Sequence, residues 1–308
     1  MSSLSGPPPS GEQYVLTWGS QSATVVEVGG GVRTHMVDGR DVLHPYDRAA
    51  VCDGAHGTPL VPWPNRIADG RYSFDGADQQ LDLTEPDKHN AIHGLLRWQP
   101  WRLIQRTPPR VVLGTRLHPQ PGYPFTLDVQ VEYTLTGQGL TATTTATNRG
   151  STPCPYGHGQ HPYLSPGAGL VDACLLQFTA DTRIVTDPHR QLPTGTEAVA
   201  GTPYDFRAPR PIGELTIDFA FTDLVRDDGD RAQVRLTGPD GATALLWVDG
   251  TFPVLELYTA DTLGAARRRT ALGTEPMTCP PNAFQTGERV VRLEPGQAHT
   301  TSWGARLE

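Results

Sequence analysis

Between residues 127 and 147 the chain alternates apolar and polar positions with a period of two. Val129, Val131, Tyr133 and Leu135 fall on one side, and a threonine-rich return follows Gly137-Gln138-Gly139. Alternation of this kind predicts an antiparallel hairpin with one buried face and one wet, threonine-lined face. The same pattern runs over residues 14–44, interrupted at Gly29-Gly30-Gly31 and at Asp38-Gly39, and returns over 72–83. An Asp-Gly step between alternating runs is a hairpin signal. Shorter apolar runs at 175–178, 234–236, 244–248, 254–259 and 289–293 repeat the sequence of strand and tight turn. No segment of helical length keeps an apolar stripe at i, i+3, i+4 and i+7 with caps. Residues 264–269 (Gly-Ala-Ala-Arg-Arg-Arg) read as a solvated loop. The expectation is an all-β protein: one large antiparallel β-sandwich over residues 13–308, a single domain preceded by a flexible tail at 1–12.

Composition sharpens this picture. The 33 glycines and 29 prolines are well above average usage and suit turn-rich β structure. The net charge of -8, with no basic block, makes nucleic acid an unsuitable partner, and no segment suggests a membrane surface. Cys52, Cys154, Cys174 and Cys279 show no C-x-x-C pair and no zinc spacing, so reduced thiols in a cytoplasmic protein are expected. Lys88 is the only lysine and lies in a polar loop, which argues against Schiff-base chemistry. No serine stands in G-x-S-x-G and no phosphate-binding glycine motif occurs. Acid–base, metal or binding chemistry remains.

Five stretches could carry it. In C-P-Y-G-H-G-Q-H-P-Y-L (154–164), His158 and His161 sit among glycines and prolines that exclude a helix. An imidazole held there is either a proton donor or a partner of the backbone. Asn65 and Arg66 follow Trp63; the guanidinium offers donors for hydroxyl oxygens or pairs with a carboxylate, and the indole offers a flat face for a sugar ring. Asn90, His93 and Arg97 stand close to Trp98 and Trp101. Asp218 is flanked by alternating apolar residues and is either a strand-end residue or a ligand contact. Glu275 precedes a proline and is therefore held extended; burial would raise its pKa toward what a general base requires, whereas a surface position would not.

Taken in order, P-N-R-I, N-A-I-H-G, H-P-Y-L, the Asp before Phe-Ala-Phe and the Glu of T-E-P-M-T-C-P-P-N-A-F resemble the aldose 1-epimerase (galactose mutarotase) family from about residue 13 to the end. The detail of L-V-P-W-P-N-R-I-A-D-G-R-Y and N-A-I-H-G-L-L-R-W is similar to a bacterial subgroup with a member linked to sulfosugar metabolism. The resemblance implies a β-supersandwich with an open cleft and interconversion of the α and β anomers of a hexose. It implies Glu275 as general base, His161 as general acid, His93 as an assistant near the ring oxygen, and Arg66 and Asp218 as sugar ligands beside Asn65. It implies no cofactor and no metal, and a small-molecule sugar as the partner. Leu164-Ser165 replaces a Phe-Asn pair of the better-known galactose enzymes, and His158 has no role in the family pattern.

Four other readings compete. They are an epimerase for an anionic sugar (a hexose 6-phosphate or a sulfosugar, either of which wants an arginine), a non-catalytic sugar-binding protein on the same fold, a metal enzyme using His158, His161 and Glu275, and a glycosidase using Glu275 with Asp218.

Overall fold

The computed structural model describes residues 6–165 and 167–308. Strands dominate it, and among the described residues the only α-helix is the four-residue Ala283–Thr286. Among the described residues no helix is long and apolar enough to cross a membrane.

Two antiparallel sheets make the body. The strand Leu127–Thr136 buries every second side chain and pairs with Gly139–Asn148 through the turn expected at 137–138. On the wetter face, the threonines form cross-strand hydroxyl pairs, Thr145 with Thr300 at 2.9 Å and Thr143 with Ser302 at 3.0 Å. These strands belong to a nine-stranded sheet that continues through Ala298–Leu307, Thr243–Val248 and Ala232–Thr237. The second sheet has twelve strands and runs from Gln13–Trp18 through Leu272–Met277, Val254–Tyr258 and Asp218–Leu224 to Pro193–Ala198. One core lies between the sheets: Leu255, Leu257 and Leu272 of the second pack in the same cluster as Tyr133, Leu246 and Trp303 of the first.

Val254–Tyr258 and Leu272–Met277 are buried at every position, so both faces of this part of the sheet are covered. With a period of two, Leu255 and Leu257 point into the core and Val254, Glu256 and Tyr258 point away from it. Register puts Glu256 opposite Glu275 and Ala220 opposite Glu256, so Asp218, Glu256 and Glu275 share that outer face. The segment from Gly54 to Arg97 folds over it.

Of the tail expected over 1–12, residues 1–5 lie outside the described residues. From Pro8 onward the chain is already hydrogen-bonded: Ser10 is buried and its carbonyl accepts from the Val28 amide at 3.0 Å. The loop at 264–269 is solvated as expected at 264–266 and Arg268, whereas Arg269 at its end is buried. Its guanidinium holds Asp172 and Asp261, each at 2.7 Å, and the carbonyl of Gly213. A multidentate arginine clamp of this kind fixes a loop that its basic composition alone would leave in water.

Tyr133 joins the core to the loops above the site. Its hydroxyl donates to the Gly30 carbonyl at 2.9 Å and accepts from Gln160, whose amide also reaches the Gly57 carbonyl at 3.0 Å. Tyr133→Phe removes the hydroxyl and leaves buried groups unpartnered, so it is expected to lower stability by about 1–3 kcal/mol. Urea denaturation measures this, and an unchanged midpoint would show that the hydroxyl contributes nothing.

Candidate active site

Asn65, Arg66, His93, His161, Asp218 and Glu275, far apart in sequence, all line one cleft of about 250 Å³ on the outer face of the twelve-stranded sheet. Glu275 comes from Leu272–Met277, Asp218 opens Asp218–Leu224, and Arg66 opens Arg66–Ala68. A larger hollow at Arg71–Gln80 is lined by none of these groups.

Local backbone explains how the residues are aimed. His161 lies between two short strands; its amide donates to the Thr58 carbonyl and its carbonyl accepts from Gly57. Asn65 and His93 both adopt left-handed backbone, φ 53° and 62°, which non-glycine residues hold only when their surroundings compel it. They compel each other: the His93 amide donates to the Asn65 carbonyl at 2.9 Å, and the Asn65 amide donates to His93 Nδ1 at 3.2 Å. Gly94 follows at φ 70°, and a Cβ there would stand 2.1 Å from the Val61 carbonyl oxygen.

The second of those bonds has chemical content. Because Nδ1 accepts, His93 is a neutral imidazole with its proton on Nε2, free to donate. Burial, with His161 and Arg97 nearby, holds its pKa well below the ordinary value. The His161 and Glu275 side chains meet directly, Nε2 to Oε1 at 3.0 Å, and both are buried. Burial pushes the imidazole down to about 3, and burial likewise pushes the Glu275 carboxyl well up. The two therefore share one proton and no net charge. Glu275 Oε2 and His161 Nδ1 have no protein partner among the described residues. Tyr163 stacks on His161 at 5.0 Å and His93 meets it edge-on at 5.2 Å.

Other groups complete the walls. Arg66 forks onto Glu85 (Nε at 2.8 Å, Nη2 at 2.9 Å), and Lys88 reaches the same carboxylate at 3.1 Å. The pairing of Arg66 with a carboxylate and its place in the cleft thus hold together. Gln191 bridges Arg66 and Lys88 to Asp218. Trp63 is not a cleft platform: it is buried against Phe284 in the core, and the aromatic side chains of the cleft are Tyr163 and Tyr258. His158 faces away, with Nδ1 at 2.9 Å from Thr301 and its ring against Phe252. The metal set His158, His161 and Glu275 is therefore not assembled. His93, His161 and Glu275 do bring three donor atoms within 4.8 Å, the spacing of a metal cluster, but Nε2 and Oε1 are already joined as a proton pair.

Sequence reasoning missed Glu256, Glu85, Gln191 and Tyr163. Two of them carried a signal: Tyr163 as the aromatic of H-P-Y-L, and Glu256 as a lone acid inside the apolar run V-L-E-L-Y. Its Oε2 accepts from Asn65 Nδ2 at 2.7 Å.

Buried acids, imidazoles and an arginine thus line one polar cleft on a double-sheet body. The chain belongs to the aldose 1-epimerase family, whose model matches residues 12–304. It is 34% identical over 297 residues to the uncharacterized protein YihR of Escherichia coli (strain K12), covering 94% of this chain and 91% of that one. It is 27% identical over 282 residues to the aldose 1-epimerase of the same organism, covering 85% and 78%. The fold is similar to that of a galactose 1-epimerase from Lactobacillus acidophilus NCFM (TM-score 0.81, 20% identity, 96% and 94% covered). It is also similar to a GalM/aldose epimerase homologue from C. elegans (TM-score 0.84, 19% identity, 96% and 99% covered). Membership places the protein among the isomerases that act on sugars.

The buried titratable groups set a pH dependence of stability. His35 and His44 are pushed down to about 4, and His56, His158 and His161 to about 3, all by burial first. Below about 6.5 the unfolded chain binds protons at these positions and the folded chain does not, so stability falls as the pH drops. Glu256, pushed up to about 8, and Glu275 act oppositely, stabilising at low pH and losing that contribution as the pH rises toward 8. Between about pH 4.5 and 8 the melting temperature should therefore peak near 6.5, with the steeper fall on the acid side. A thermal melt series checks this; a Tm still rising at pH 8 would contradict it.

Proposed function

We propose that the protein is a cofactor-independent aldose 1-epimerase that interconverts the α and β anomers of an aldohexose. The observation that carries this reading is the buried His161–Glu275 pair at 3.0 Å in a cleft lined by hydrogen-bonding groups.

Exchange of anomers requires the cyclic hemiacetal to open, the C1–C2 bond to rotate, and the ring to close on the other face of the carbonyl. One group takes the proton of the C1 hydroxyl while another gives a proton to the ring oxygen; on closure the roles reverse. A pair holding one proton between a carboxyl and an imidazole is suited to this. With the proton on His161, Glu275 is a carboxylate ready to accept, and a pKa held low makes the imidazolium a strong donor. The pair holds one proton before and after each turnover, so the cycle needs no net proton from solvent. His93 presents its Nε2–H as a fixed hydrogen-bond donor toward oxygen developing charge. Arg66, Asn65 and Asp218 would hold ring hydroxyls, with Arg66 using the donors left over from Glu85.

A second reading, an anionic sugar as substrate, is favoured by Arg97. It lines the cleft, is half-buried, and among the described residues has no carboxylate partner; its polar contact is the Ile92 carbonyl at 3.3 Å. A desolvated guanidinium without a counter-ion suits a phosphate or sulfonate.

Glu275→Gln and His161→Asn should each slow anomer interconversion by about 10²- to 10⁴-fold with circular dichroism unchanged. Polarimetry on freshly dissolved α-glucose and α-galactose reads this; wild-type-like rates in either variant reject the assignment. A sugar-binding protein without turnover would leave the rotation decaying at its buffer rate. NMR on fresh neutral, 6-phosphorylated and 6-sulfonated anomers separates the substrate classes. If the substrate is anionic, Arg97→Gln should raise KM for the charged sugar about 10-fold or more and leave the neutral one little changed.

A further inference from the structure

We propose that Glu256 is a positioning residue of this site and works as an uncharged carboxylic acid, donating to Asp218 and accepting from Asn65. The proposal rests on the epimerase reading above and adds a residue to it.

Three carboxyl groups, Asp218, Glu256 and Glu275, project from three adjacent strands onto one face of the sheet. Glu256 is the middle one and is almost completely buried. On one side its Oε2 accepts the Asn65 amide at 2.7 Å. On the other its carboxyl lies within hydrogen-bonding reach of Asp218. Two carboxylates cannot hydrogen-bond to each other; such a contact needs a proton on one of them. The groups facing Glu256 are Asp218 and Glu275 from the neighbouring strands, Arg66 from the covering segment and Lys88 from the turn at Pro86–Lys88. Both cations are already engaged by Glu85. The middle one of the three acids therefore has no counter-ion of its own, and burial drives it to the neutral form, with a pKa raised to about 8.

The placement of Glu256 and its neutrality each have a consequence for the reaction. The Asn65 side chain is pinned by Glu256, and the same residue's amide fixes the His93 tautomer while its carbonyl holds the His93 backbone. Glu256 thus acts on His93 through Asn65. It also lies directly across the strand pair from Glu275. A charge there would push the Glu275 carboxyl further up and leave no carboxylate to accept a proton at neutral pH. A carboxylic acid fills the position without that penalty.

The test compares Glu256→Gln with Glu256→Leu. Glutamine keeps a donor and an acceptor and no charge, so kcat should fall by no more than about 3-fold, whereas leucine should lower it by about 10²-fold with a smaller effect on KM. The acid limb of the kcat/KM profile in Glu256→Gln should stay within about 0.3 pH unit of wild type; removing a true charge would move it down by about one unit or more. Infrared difference spectra at pH 7 in D2O should show a carboxylic-acid carbonyl band that is lost in Glu256→Gln. A glutamine variant as slow as the leucine one, a leucine variant as fast as wild type, a displaced acid limb, or no lost band would each overturn the proposal. If the leucine variant does not fold, the limb and the band still decide. Absence of turnover in the wild type itself would sink the epimerase reading instead, and the infrared comparison would still report on the protonation of Glu256.

Discussion

One proton shared between a carboxyl and an imidazole, inside a sheet that leaves neither group room to turn toward water, is the constraint from which the rest of this site follows. Glu275 lies on a strand buried at all six positions, and His161 is fixed by backbone bonds to Gly57 and Thr58. In water such a pair would separate into ions and solvate. Here desolvation disfavours the charged forms of both, so the proton rests on the carboxyl and the pair is neutral. On the proposed reading, one transfer along the 3.0 Å contact produces the carboxylate and imidazolium that reciprocal proton transfer uses, because the group that donates in one half must accept in the other.

The acidic character of the cleft is held within limits by its surroundings. Glu85 occupies both Arg66 and Lys88, and Gln191 stands between these cations and Asp218. Without the amide spacer, Asp218 would face the two cations directly. The result is a cleft wall that carries both donors and acceptors, which the hydroxyls of the proposed sugar, each donating one hydrogen bond and accepting others, would meet. The left-handed backbone at Asn65 and His93 is the local cost of aiming two such groups from neighbouring loop segments.

Much of the fold could be read from the chain. The period-two run at 127–147 and the turn at Gly137-Gln138 lie where alternation puts them, because one face is core and the other is hydroxyl-lined. Within the loop at 264–269, otherwise solvated, the burial of Arg269 escaped because the rule for basic runs knows nothing of Asp172, which comes from a distant segment. At the site, short segments rich in Gly, Pro and aromatic residues drew attention to His161, His93, Asn65, Arg66 and Glu275. Glu256 escaped because its segment reads as core strand, and the face it projects onto depends on a register that sequence does not state. Trp63 misled for the opposite reason: an indole beside a polar pair need not point the same way, and this one packs on Phe284.

Glu275 belongs to a strand and His161 to the short link between two, whereas Arg97 hangs from a loop laid across them. Gly94, which lacks space for even one methyl group, anchors the root of that loop so that the residues beyond it can vary without disturbing His93. On the epimerase reading proposed above, reactivity and selectivity are thus housed in separately replaceable parts. A lineage built on this frame would exchange one sugar for another by rewriting its rim, while the machinery beneath is inherited intact.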